Sequence, residues 1–219
     1  MNPKAAYYNY NLMLYNRILL IVILLIPTLS SCQDTTHRTR QASSNDVLAG
    51  FTYVGEFRVS FYWIVLEENF SGSPDTPVYT KDGRLIDKLP YRFVKELERE
   101  GTGKLRDGRI INTDGKGTYK LTSAPYGIGV SGQSLRPFKS VAVDKELIRI
   151  GTQLYIPYAD GIKLPDGTVH QGFFYADDVG SAIRGNHIDI FVGIENNTKV
   201  FERAGIAHNK WVKVYRKDE

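Results

Sequence analysis

From Phe51 onward the hydrophobic positions fall in short runs separated by Gly, Pro, Asn and Asp, a spacing that predicts many strands and few helices. Phe57–Leu66 (FRVSFYWIVL) is β-branched and aromatic without a breaker and predicts one long strand, buried at its centre. Val78-Tyr79-Thr80 and Leu85-Ile86 flank Lys81-Asp82-Gly83-Arg84, a hairpin signal, because Asp-Gly suits a turn that needs positive φ. Between Pro90 and Glu100, Phe93, Val94 and Leu97 stand at helical spacing, with a proline at the start and Gly101 past the end. Further strands are expected at Arg109–Asn112, Thr118–Thr122, Val141–Val143, Thr152–Pro157 and Trp211–Tyr215. A second short helix is expected at Thr198–Ala204, with Thr198 as N-cap and Gly205 as stop. Asp144, followed by Lys-Glu-Leu-Ile, predicts a capped helical turn. Many short strands with few helices indicate a mainly β fold, a small mixed barrel.

The stretch Ala176–Phe191 (ADDVGSAIRGNHIDIF) sets carboxylates on either side of a glycine-punctuated loop. Its second half, His187 to Val192, alternates as a half-buried strand does, with Ile188, Ile190 and Val192 on one face and His187, Asp189 and Phe191 on the other. A carboxylate flanked by Ile188, Ile190 and Phe191 is a candidate for a raised pKa, because apolar surroundings disfavour the charged form. An acid that must hold its proton near neutral pH needs such a setting. The same alternation turns Asp177 away from Asp178 and predicts a solvated neighbour.

The ends of the chain change the picture. Ile18–Ile26 is almost wholly aliphatic and follows Lys4 and Arg17, so residues 1–31 read as a targeting segment. Leu29-Ser30-Ser31-Cys32 resembles the lipobox of bacterial lipoproteins, in which cleavage precedes a cysteine that then carries lipid. A plain N-terminal membrane anchor with an incidental Cys32 is the alternative. Residues 32–50 are polar and form an expected tether, which leaves residues 51–219 as one folded domain. Gln33, not Asp, follows Cys32, which leans towards an outer-membrane anchor facing the periplasm. Of the 28 Lys and Arg, Lys4 and Arg17 fall in the segment; the remaining 26 against 24 Asp and Glu leave a net charge of +2. That balance, with no basic run, makes no case for nucleic-acid binding. Cys32 is the only cysteine, so a catalytic thiol is excluded, and the four histidines have no metal-ligand spacing. Gly101-Thr102-Gly103-Lys104 fails as a phosphate loop, with Glu98 at the first glycine and Leu105 at the hydroxyl position.

The pattern S-V-A-V-D-x-x-x-I-x-x-G-T (Ser140–Thr152) followed by A-D-D-x-G-x-A-I-x-G-x-x-I-D (Ala176–Asp189) resembles the 3D domain, named for three aspartates, which Asp144, Asp178 and Asp189 match. The same module is similar to the catalytic domain of membrane-bound lytic transglycosylase A, whose second and third site positions are separated by the eleven residues that separate Asp178 from Asp189. The resemblance implies a six-stranded double-psi β-barrel with short helices and inserted loops. It implies cleavage of the MurNAc–GlcNAc bond of peptidoglycan glycan strands by a non-hydrolytic route that leaves a 1,6-anhydro end, with no cofactor and no metal. By this resemblance Asp189 is the general acid and base, and Asp178 stays ionised beside it and raises its pKa by like-charge repulsion. Val179 and Ser181 depart from the Thr and Gly usual after the aspartate, which keeps a non-catalytic glycan-binding module as the alternative.

The remaining candidates each carry two readings. Asp144 is a turn cap or a site residue, and Thr152 a sugar contact or a strand residue. His187 either lines the cleft beside Asp189 or is a hydrogen-bonded structural histidine. Arg184 can meet a glycan or peptide carboxylate or stay a solvated loop charge. Tyr62, Trp63, Tyr119 and Tyr126 are stacking surfaces or core; Tyr126, in a glycine-rich loop, is the best rim candidate and Trp63 is expected in the core. The segment Tyr158–Gln171 is expected to reshape one rim of the groove.

Overall fold

Along β1 (Phe51–Tyr62), Phe57, Val59 and Phe61 alternate with Arg58, Ser60 and Tyr62. That alternation decides which side of the strand becomes core and which becomes site. The computed structural model describes residues 48–219. The expected signal segment 1–31, Cys32 and most of the expected tether lie outside the described residues. β1 joins β8 (Ser140–Val143), β9 (Gln153–Lys163), β10 (Val169–Asp178), β11 (His187–Phe191) and β12 (Trp211–Lys217) in a closed barrel, in the order β1-β11-β8-β10-β9-β12. The pairs β1/β11 and β8/β10 run parallel, and the remaining pairs are antiparallel. The expected mainly β, six-stranded barrel is therefore what the chain forms.

The barrel is filled by one face of each strand. Phe57, Val59 and Phe61 meet Val141, Val143, Leu154, Ile156, Phe174, Ile188 and Ile190 in a single core, completed by Phe201 and Ile206. Each fully buried aliphatic or aromatic side chain contributes about 1.5–3 kcal/mol. Phe201 comes from α2 (Thr198–Arg203), which packs against β9. A 3-10 turn at Glu195–Asn197 precedes α2, so Thr198 is its first residue and not its cap; Asn197 donates from Nδ2 to the Val192 carbonyl instead.

Between β1 and β8 the chain builds a second, smaller core. β2 (Val65–Leu66), β5 (Thr102–Lys104), β6 (Ile110–Thr113) and β7 (Tyr119–Thr122) form a four-stranded sheet, and β3 (Thr76–Tyr79) and β4 (Leu85–Leu89) form the predicted hairpin. Helix α1 (Tyr91–Glu100) lays Phe93, Val94 and Leu97 against Val65, Val78, Leu89 and Ile111. It ends at Gly101, whose left-handed φ of 81° lets its N–H reach the Leu97 carbonyl. The insertion is larger than the loops expected and holds a hydrophobic core of its own beside that of the barrel.

One local expectation changes for a visible reason. The predicted Phe57–Leu66 strand divides at Trp63-Ile64, because its partner β11 ends there; the Ile64 N–H turns to the Gly193 carbonyl. The capped turn expected after Asp144 forms: Asp144 Oδ1 accepts the Glu146 N–H, the Ile148 N–H reaches the Asp144 carbonyl at 3.0 Å, and Gly151 then reverses the chain into β9.

Candidate active site

The second face of the barrel strands points outward, and on it the register assembles a row of four residues. Ser60 on β1 is level with Asp189 on β11, Asp189 with Ala142 on β8, and Ala142 with Asp178 on β10. The two aspartates therefore stand two strand spacings apart, about 9.5 Å between backbones, with the smallest chiral side chain as the floor between them. Two residues back along β1 and β11 the partners are Arg58 and His187; two residues ahead they are Tyr62 and Phe191. Opposite this face sits the inserted sheet. The space between is an open groove of about 800 Å³, lined on the barrel side by Tyr62, Ala142, Asp178 and Asp189 and on the other by Glu100 and Asn112.

Each carboxylate has a different set of partners. Asp178 Oδ1 accepts the N–H groups of Val179 at 2.9 Å and Val130 at 3.1 Å, and Oδ2 accepts the Tyr62 hydroxyl at 3.3 Å. Burial nevertheless outweighs these donors and holds its carboxyl above the usual value. Asp189 Oδ1 accepts the Ser60 hydroxyl at 2.7 Å. Burial above all, then the charges of Glu100 and Asp178, push the Asp189 carboxyl from 3.8 to about 7 against the opposing Ser60 bond and Arg58 charge. The rise expected from the apolar flanks is present, and like-charge repulsion from Asp178 comes behind burial and Glu100. Glu100, the last residue of α1, accepts the Trp63 N–H at 3.4 Å on Oε2 and the Arg99 guanidinium on Oε1; burial raises its pKa as well. Tyr62 stays protonated, with burial and Asp178 both raising its pKa.

The loop between β7 and β8 ties the two walls together. The Ile128 N–H donates to Asn112 Oδ1 on β6, and Val130, two residues on, reaches Asp178. Gly129 between them must lack a side chain: a Cβ there would lie 2.4 Å from the Asp177 carbonyl oxygen.

The candidates named from sequence separate into those at the groove and those away from it. Asp178 and Asp189 line it. His187 lies on the same face, buried behind Ser60 with its Nε2 2.7 Å from the hydroxyl. Asp144 lies outside the groove lining: its Oδ1 accepts the Glu146 N–H and its Oδ2 the Gly185 N–H at 2.8 Å, which anchors the loop before Asp189 and holds its pKa down. Thr152 borders a separate depression with Arg149 and Tyr175. Tyr126 packs edge-on against Phe191, and Ile128–Val130 take the place at the groove expected of it. Arg184 folds its guanidinium onto the Gly180 and Ile183 carbonyls. Trp63 packs on the barrel core and Tyr119 lies in the inserted core, with its hydroxyl on Glu98. Residues 158–171 continue β9 and β10 into a long hairpin and contribute nothing to the groove lining. Asp177 is the clear correction. It is 4% exposed, accepting the Ser140 hydroxyl at 2.6 Å and Arg136 at 3.0 Å, because the turn away from Asp178 leads it into the packed side of the 136–140 segment and not into water. Ser60, Tyr62 and Glu100 carry the site's electrostatics and were not singled out for it from sequence. The alternation of Arg58, Ser60 and Tyr62 was the available signal for two of them; Glu100 had none.

Residues 139–216, a span that contains Asp144, Asp178 and Asp189, match the 3D domain. The fold of this chain is similar to that of two solved lytic transglycosylases. E. coli MltA with bound chitohexaose is 18% identical with a TM-score of 0.56, over 78% of this chain and 76% of that one. A membrane-bound lytic murein transglycosylase from Agrobacterium tumefaciens is 13% identical with a TM-score of 0.50, over 76% and 75%. No curated protein is a significant sequence match.

Proposed function

We propose that this chain is a peptidoglycan lytic transglycosylase that cleaves the MurNAc–GlcNAc β-1,4 bond and leaves 1,6-anhydro-MurNAc ends, with Asp189 as general acid and base. One observation carries the reading. Asp178 and Glu100 have both oxygens engaged by protein donors, whereas Asp189 beside them has Oδ2 without a donor among the described residues and a pKa near 7. A group with that pKa is protonated in a large fraction of molecules at neutral pH and can give and retake a proton at little cost.

Asp189 gives its proton to the glycosidic oxygen as the bond from that oxygen to the MurNAc anomeric carbon breaks. The muramyl 6-hydroxyl then bonds to the anomeric carbon and passes its proton to the Asp189 carboxylate. One proton leaves and one returns, and no water is consumed. Hydrolysis by ordinary glycosidases uses a second carboxylate as nucleophile or base; Asp178, held by Val130, Val179 and Tyr62, is spoken for. Asp178 and Glu100 instead set the field around Asp189. The groove, open along its length between two walls, suits an extended glycan, and MltA has been solved with a chito-oligosaccharide bound. Lipid on Cys32, with residues 33–50 as tether, places the domain at the membrane, facing the periplasm from the outer membrane.

The test is digestion of purified sacculi. Wild-type protein releases soluble muropeptides with anhydro ends, and Asp189→Asn releases none. Sacculus pelleting without product by the wild type would overturn the enzymatic reading and favour a glycan-binding module; full activity in Asp189→Asn would overturn the assignment of the acid.

A further inference from the structure

Behind Asp189 the outward face of β1 and β11 carries a continuous chain of hydrogen bonds to the surface. The Arg58 guanidinium contacts His187 Nδ1 at 2.9 Å, His187 Nε2 contacts Ser60 Oγ at 2.7 Å, and Ser60 Oγ contacts Asp189 Oδ1 at 2.7 Å. Arg58 is itself held from behind by Asn209 Oδ1 at 2.7 Å. We propose that this chain is a one-way relay that assigns the exchangeable proton of Asp189 to Oδ2, the oxygen without a donor among the described residues, and that Ser60 and His187 are the positioning residues of the site. The proposal rests on the reading of Asp189 as the acid and deepens it.

The direction of each bond follows from its donors. A guanidinium has only N–H groups, so it can only donate, and His187 Nδ1 must accept. The imidazole is then neutral with its single proton on Nε2, which points at Ser60 Oγ. The hydroxyl accepts there, so its own hydrogen is free for Asp189. If Oδ1 carried a proton, the Ser60 hydrogen would face a donor on both sides and have no acceptor among the described residues. Oδ1 is therefore bare, and the proton resides on Oδ2. Hydrogen bonds aligned head to tail polarise one another, so the Arg58 charge is felt at Oδ1 through two intermediates.

The register builds this arrangement. Arg58 is level with His187 and Ser60 with Asp189, so alternation places all four side chains on one face of a parallel strand pair, two residues apart along each strand. Burial first, then the Arg58 charge, depresses the His187 pKa against the Ala182 carbonyl, which keeps the ring neutral and the relay intact across the working range. The other ionisable groups facing the relay are Glu100 from the end of α1, Asp178 from β10 and Tyr62 from β1 around Asp189, with His208 near His187.

Nuclear magnetic resonance reads the relay without any need for turnover. In the full chain with nitrogen-labelled histidine, His187 is expected as the Nε2–H tautomer from about pH 6 to 8. With carboxyl-labelled aspartate, and Asp189→Asn to assign the resonance, Asp189 titrates near 7. Ser60→Ala moves that midpoint up by about one pH unit, the size of one lost bond to a carboxylate, and Ser60→Thr, which restores a hydroxyl, brings it back. The basic limb of kcat/KM on soluble glycan moves by the same amount. A His187 that is cationic or carries its proton on Nδ1 overturns the relay, as does an Asp189 midpoint that stays in place in Ser60→Ala. If the resonances behave as expected but no glycan is cleaved, the relay stands and the catalytic assignment falls.

Discussion

Asp189 is held where its charge is unwelcome, and this must cost the fold stability that Asp189→Asn returns. Asn keeps the shape and the acceptor oxygen for the Ser60 hydroxyl while removing the charge. The folded-state pKa, about 7, lies above the ordinary 3.8. A group raised in the folded state contributes stability that is fully present below its unfolded pKa and lost as pH rises to its folded pKa. The window is therefore from about pH 4 to about 7, and above it the wild type has lost about 4 kcal/mol relative to a neutral isostere, at about 1.4 kcal/mol for each decade of displacement. At pH 5 the corresponding loss is about 1.5 kcal/mol. Urea unfolding of both proteins at pH 5 and pH 8 measures it. Asp189→Asn should be the more stable protein at pH 8, melting about 10 °C higher for a domain of this size, with the advantage shrinking by more than half at pH 5. An advantage that is the same at both pH values would locate the effect in packing and not in ionisation, and Asp189 would then not be a group of raised pKa.

Tyr62→Phe removes the hydroxyl that bonds Asp178 Oδ2, so kcat on soluble glycan should fall about tenfold while stability changes by only about 1 kcal/mol, read by turnover and chemical unfolding. Gly129→Ala drives a Cβ into the Asp177 carbonyl and lifts Val130 off Asp178; unfolding should show a loss of about 1–3 kcal/mol, and activity should drop more than in an alanine replacement at Gly132, where a Cβ meets nothing within 4 Å. Asp177→Asn breaks the ion pair with Arg136 and weakens the Ser140 bond, for a loss of about 1–3 kcal/mol in unfolding, lessened because the guanidinium is half exposed. Activity of the wild type should fall as pH rises through about 7, because deprotonated Asp189 cannot act as the acid.

The outward facing of Asp189 and His187 was legible because strand alternation is local: Ile188, Ile190 and Val192 had to share the core; the pairing of Asp189 with Asp178 rested on the resemblance to the 3D domain. The hairpin at Asp82-Gly83 and the helix ending at Gly101 were legible for the same reason, each being decided by a few adjacent residues. What lies across strands was not. Ser60 meets Asp189 only through a parallel pairing 129 residues apart in sequence, and no local pattern announces it. Glu100 belongs to a helix whose identity was clear, but its place opposite the barrel depends on how the whole insertion folds back. Asp177 was misread because alternation gives direction and not surroundings; it does point away from Asp178, but towards Arg136 and Ser140. Tyr126 and Thr152 show the same limit, since a loop or strand residue can be placed in order along the chain without its distance to the groove being known.

The central claim is that one carboxyl group, at Asp189, moves a single proton out and back while the sugar's own hydroxyl takes the place of water. Digestion of sacculi in water enriched in heavy oxygen tests it directly. Muropeptides with anhydro ends are expected, lighter by one water than hydrolytic products and free of the heavy isotope at the new terminus. Reducing ends carrying one heavy oxygen would contradict it.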